Sequence, residues 1–167
     1  MSGEIMAVCR AIHIGAAVGW LGGMLMNMCV VMPAAREQLQ AGELMRLHSA
    51  VHVRFARLVY ASIAALLISG GWMTYSIILM HGHLDLTTVW YGIVFAKHAL
   101  FFLMVGLAVY ILACLLPSIQ QAASMDSEEA RSRLAALRAR QHRLVRLNLW
   151  LAGAVLLLSS AAHVCRH

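Results

Sequence analysis

Charge is scarce in this sequence. Only 12% of its 167 residues are charged and seven are acidic, while 62% are hydrophobic, a balance outside ordinary soluble usage. Its four cysteines, Cys9, Cys29, Cys114 and Cys165, form no CxxC pair, which excludes the usual zinc-site spacings. Cys9 and Cys165 fall near the same end of the spans and can form a disulfide, but free buried thiols acting as small hydrophobes are the expectation. The net charge of +6 comes without base-stacking aromatics on the basic stretches, which argues against nucleic-acid binding. Between His81 and Thr88 there is no Lys or Arg at all. The first apolar block also lacks the basic leader and small-residue cleavage site of a signal peptide, so it reads as a retained helix.

What the sequence does have is four apolar blocks, roughly Ala11–Pro33, Leu58–Met80, Val89–Leu116 and Leu147–His163. A membrane-crossing helix needs about 20 mostly apolar residues, and each block suits that length. The expected fold is an all-α integral membrane protein: one four-transmembrane-helix bundle over residues 1–167. Its spans fall at 5–33, 54–80, 88–117 and 144–164, with cytoplasmic helical extensions. Arg36, Arg46, Arg54 and Arg57 cluster around the first connection. Arg131, Arg133, Arg138, Arg140, Arg143 and Arg146 cluster before the fourth block. By the positive-inside rule both basic regions are cytoplasmic and both termini lie on the outer, periplasmic side of a bacterial-type inner membrane.

Along the first span Gly15, Gly19 and Gly23 recur every four residues, a flat stripe for close helix contact. His13, Trp20 and Asn27 recur every seven on another face, a polar row directed into the bundle. Glu37 to His52 carries Leu44, Leu47 and Val51 at helical spacing and reads as an extension of the second helix. His48 and His52 stand one turn apart there. They can bind a metal, but exposed histidines on a basic helix are the expectation, and His52 and His142 are read as solvated. Asp126 followed by Glu129 resembles a capping box. Beyond it Leu134, Leu137, Gln141 and Leu144 line one side of a basic helix suited to anionic headgroups, to a partner subunit or to solvent.

The costliest residue is Lys97, inside the third block beside His98. A lysine at mid-span costs roughly 2.5–3.5 kcal/mol on insertion scales, which marks a functional site. Neutral imidazole is a ligand for haem iron and for copper. His13 lies twenty residues before Pro33, and His98 nineteen before Pro117. At about 1.5 Å per residue the two imidazoles reach matched depth if the prolines mark one boundary. Two such histidines can clamp a haem b in a helix bundle. Arg10 and Lys97 are placed for propionates, Trp20 shares the His13 row, and His163 can replace either ligand. The bland alternative is that these histidines only hydrogen-bond between helices. A faint repeat accompanies them: Cys29 follows His13 and Cys114 follows His98 by the same sixteen residues.

Copper is the rival metal. Met24, Met28 and Met32 form an every-fourth-residue stripe of thioethers suited to Cu(I), although methionine at that spacing is usually packing filler. His81 and His83 would join the outer imidazoles, with Asp85 beside them.

The stretches Ile12-His13-Ile14, Trp20-Leu21-Gly22-Gly23, Pro33-Ala34-Ala35-Arg36, Thr87-Thr88-Val89-Trp90-Tyr91-Gly92 and Lys97-His98 resemble the CopD (copper-resistance D) family of membrane proteins. The resemblance implies a four-helix domain associated with copper uptake or tolerance, with b-type haem in related domains. More distantly the chain is similar to HemJ-type protoporphyrinogen oxidases, through His13 and Lys97. The leading expectation is a transmembrane cytochrome b ligated by His13 and His98. It would pass electrons between a quinone or partner subunit and an outer acceptor, in membrane lipid and in a homo- or hetero-oligomer. CopD-like copper handling is the alternative.

Overall fold

A computed structural model describes residues 3–81 and 89–164, the side chains of residues 41, 80, 81, 163 and 164 excepted. The side chains of His81 and His163, together with His83, Asp85 and Cys165, therefore lie outside the described residues. The described residues form helices and no strand: α1 (Gly3–Met26), π1 (Asn27–Val31), α2 (Met32–Gln38), α3 (Ala41–His81), α4 (Val89–Tyr110), π2 (Ile111–Leu115), α5 (Leu116–Ala123) and α6 (Glu128–Val164). Four helical runs, at 3–38, 42–79, 89–123 and 128–162, are long and apolar enough to cross a membrane. The chain divides into two compact units, Met1–Leu84 and Asp85–His167, described separately below.

In the first unit, α1, π1 and α2 are one continuous helical run. Pro33 has no N–H, and its ring would clash with the carbonyl of Cys29 four residues earlier. The helix widens just ahead of it instead, and the N–H of Met32 reaches the carbonyl of Asn27, five residues back. Leu39, in extended backbone at φ −112°, ψ 144°, then ends the run. This places Glu37 and Gln38 in α2 and not in the second helix's extension as expected. The extension starts at Ala41, where the Gln40 N–H donates to Glu43 Oε2 at 3.3 Å. At 41 residues α3 is about 60 Å long, twice a hydrocarbon core of about 30 Å, so much of it extends beyond the apolar span.

Glycines let α1 approach α3 closely. A Cβ on Gly23 would stand 3.0 Å from Phe55 Cε2 and 3.2 Å from Leu58 Cδ2, while one on Gly19 would meet Leu58 and Ser62 at 3.8 and 3.9 Å. Gly15, expected to continue the stripe, faces open space. Four residues turn the helix about 40° past a full circle, so the stripe drifts off the contact. Trp20 and Met24 are buried on α1, and Val59, Ile63 and Leu66 on α3.

The second unit repeats the device. Pro117 follows π2, in which the Leu116 N–H reaches the Ile111 carbonyl. Ile111, Leu115 and Ile119 form its core against Tyr110, Leu134, Leu137, Leu144 and Val145. The leucine side of the basic helix therefore packs on α5 and π2, Gln141 is buried with it, and the Arg140 guanidinium lies 5.3 Å above the Tyr110 ring. The helix cap differs from the expectation. Ser127 Oγ accepts the Ala130 N–H at 3.1 Å, and Asp126 pairs with Arg131 at 2.9 Å. Ser127 immediately precedes α6, so its short hydroxyl reaches the third N–H of the helix. Ile68 and Leu157, each 74% exposed, and Trp150, 80% exposed, are large apolar groups that lipid would cover.

Candidate metal centre

His13 is fixed by α3. Its Nδ1 lies 2.9 Å from Ser69 Oγ, and the Ser69 hydroxyl donates its one hydrogen to the Ala65 carbonyl. Ser69 can then only accept, so Nδ1 of His13 carries the hydrogen, and in the neutral ring Nε2 carries the lone pair. Gly70 makes the approach possible, because a Cβ there would fall 3.1 Å from His13 Cε1. Ser69 belongs to a row the sequence reading missed. Ser62, Ser69 and Ser76 recur every seven residues along α3 and are all buried. That spacing was the available signal for a polar seam facing α1.

His98 reaches the same protonation pattern by a shorter route. Its Nδ1 lies 2.7 Å from the carbonyl of Val94, one turn back on α4. A carbonyl can only accept, so Nδ1–H donates, and in the neutral ring Nε2 again carries the lone pair. Metal-binding histidines are typically oriented in this manner, with the second ring nitrogen donating to oxygen. Lys97 and His98 are both half-buried.

The remaining expected residues fall as follows. Arg10, three residues before His13 on α1, is exposed, and Trp20 is 4% exposed within the first unit. His13 belongs to the first unit and His98 to the second. In the methionine stripe, Met24 and Met32 are buried and Met28 is half-buried, which fits packing. Cys9 is half-buried, and Cys29 and Cys114 are exposed free thiols. Among the described residues no three His, Cys, Asp or Glu side chains converge as a metal-binding group. His142 is exposed as expected. His52 is not. It is 8% exposed, and its Nε2 lies 3.0 Å from Nε2 of His48, because this turn of α3 faces inward although arginines stand on either side of it.

No curated protein matches the chain, and no solved structure does. A family model does match, that of CopD, copper resistance protein D, over residues 49–162. The matched stretch takes in Ser69, Gly70, Lys97 and His98, while His13 precedes it. It covers more than half of the chain and runs through three of the four apolar helices, and the protein accordingly belongs to the CopD family of multi-pass membrane proteins.

Proposed function

We propose that this protein handles copper at the inner membrane, moving or sequestering the ion, with the imidazole of His13 as a donor in the first unit and that of His98 as a donor in the second. The observation that carries the reading is the shared tautomer. Each ring is held through Nδ1–H by an oxygen, which presents Nε2 as a neutral imidazole donor within an apolar helix. Imidazole suits copper, and copper(II) stands at the top of the divalent affinity order. Copper here is cargo, and the chain's own work is to orient the rings and exclude competing water. Lys97, beside His98, supplies a positive charge that would counter an accompanying anion. The basic starts of α3 and α6 face the cytoplasm in this reading, with the His13 and His98 ends outward.

A second reading, a b-type cytochrome, draws on the same tautomers, since haem iron also takes imidazole nitrogen. One preparation separates the two. Protein expressed with both haem and copper supplied, purified without a polyhistidine tag, should retain copper and show no haem bands in a reduced-minus-oxidised spectrum. His13→Asn and His98→Asn should each lower its copper content. Haem bands lost in those variants would establish the cytochrome instead, and copper content unchanged in both variants would refute the donor assignment.

A further inference from the structure

On α3, His48 and His52 stand one turn apart on the same face. Their Nε2 atoms are 3.0 Å apart. Their ring centroids are only 4.1 Å apart with planes at 70°, so the rings are canted against each other and not placed end to end. Imidazole nitrogen sits about 2.0–2.1 Å from a divalent first-row ion, which puts two nitrogens at right angles around one ion about 2.9 Å apart and two at the tetrahedral angle about 3.3–3.4 Å apart. The observed separation is that of a hydrogen bond between the two rings, and it also fits the right-angled edge. A square or tetragonal arrangement of N and O donors selects copper(II) or nickel(II) over zinc.

Helix register points to a third polar atom near this level. On α1, Gly23 packs against Phe55 and Leu58 of the antiparallel α3. Four residues further along this helical run, at the start of π1, is Asn27, and four residues back from Phe55–Leu58 is the turn holding His52. The side-chain carbonyl oxygen Oδ1 of Asn27 is buried and makes no hydrogen bond among the described residues. A buried amide oxygen without a donor is costly, about 1–3 kcal/mol, and a cation satisfies it.

We propose that His48 and His52 bind a divalent transition-metal ion, copper(II) ahead of nickel(II), through their two Nε2 atoms, with Asn27 Oδ1 as an oxygen donor. The site is separate from His13 and His98 and does not depend on them. On binding, the histidine that holds a hydrogen on Nε2 moves it to Nδ1, so that both Nε2 lone pairs face the ion and no net proton is released.

The test uses the full chain in detergent, without a polyhistidine tag and carrying His13→Asn and His98→Asn, loaded with one equivalent of copper(II). Paramagnetic resonance should show a tetragonal signal split by two equatorial nitrogens. His48→Gln should reduce this to one nitrogen and weaken binding by about tenfold or more, because the second imidazole binds intramolecularly. Asn27→Leu should weaken binding while keeping two nitrogens. His48 is only half-buried, so its variant tests the site even if His52→Gln fails to fold. A two-nitrogen signal unchanged in His48→Gln overturns the proposal, as does a helical, cooperatively melting parent that binds no copper. If the parent itself does not fold, the wild type is compared with His48→Gln, and loss of one two-nitrogen component is the supporting result. Retention of every component overturns it.

Discussion

Gly70 and Gly71 are adjacent in sequence and opposite in consequence. A Cβ on Gly70 would stand 3.1 Å from His13 Cε1 and 3.6 Å from its Nδ1, whereas one on Gly71 meets nothing within 4 Å. Alanine in a helix interior is favoured over glycine by about 0.8–1.0 kcal/mol, so Gly71→Ala should raise stability by up to that amount. Gly70→Ala gains the same propensity and adds crowding. To reach ordinary contact the imidazole must retreat by about 0.3 Å, and its Nδ1–Ser69 bond, 2.9 Å now, stretches toward the long end of the useful range. Overpacking costs about 1–3 kcal/mol and a weakened hydrogen bond about 0.5–1.5 kcal/mol. The net expectation is a loss of roughly 1.5–4.5 kcal/mol relative to Gly71→Ala, together with lower copper retention. Thermal melts in detergent and metal analysis of the two purified variants measure both effects. Indistinguishable melting midpoints and copper contents would refute the wedge between His13 and Gly70, and with it the argument for a fixed ring.

Ser69→Ala should cost about 1 kcal/mol and lower copper retention without change in helix content, read by circular dichroism and metal analysis. Ser127→Ala removes the cap of α6 and should cost about 0.5–2 kcal/mol, visible as faster hydrogen exchange over residues 128–131. Arg131→Ala breaks ion pairs whose side chains are 67% and 91% exposed. Its melting midpoint should therefore barely move, an effect of about 0–1 kcal/mol.

The four membrane-crossing helices were legible because composition and block length alone decide them. Two differences, at His52 and Gly15, share a cause, since each turned on which side of a helix meets a neighbour. His52 sits among Arg46, Arg54 and Arg57 and looks solvated in a linear reading, yet α3 turns it inward. Gly15 continues a sequence period that the helix geometry does not. Asp126 and Glu129 have cap spacing, but the helix begins two residues after Asp126, so Ser127 holds the capping position. At the candidate site, His13 and His98 were visible as ionisable groups in apolar runs. Their tautomers were not, because Ser69 is distant in sequence and the Val94 carbonyl belongs to backbone that any residue supplies.

The widened turn ahead of Pro33 has one more consequence, for how the first helix keeps its phase. A π turn is in effect one residue inserted into an α-helix, so positions on either side are related as if one residue were missing between them. His13 and Met32 are nineteen residues apart but behave as eighteen, which is five full turns; His13 meets Ser69 of α3 and Met32 is buried. Met24 and Met32, eight apart by number, likewise behave as seven and are buried on one side. Deleting one residue from Asn27–Val31 together with Pro33→Ala should therefore yield an uninterrupted α-helix with both halves still facing as they do now. A deletion elsewhere in α1 would swing one half by about 100° and carry His13 away from Ser69. The segment is the one place in that helix where the chain can lose a residue and keep its faces.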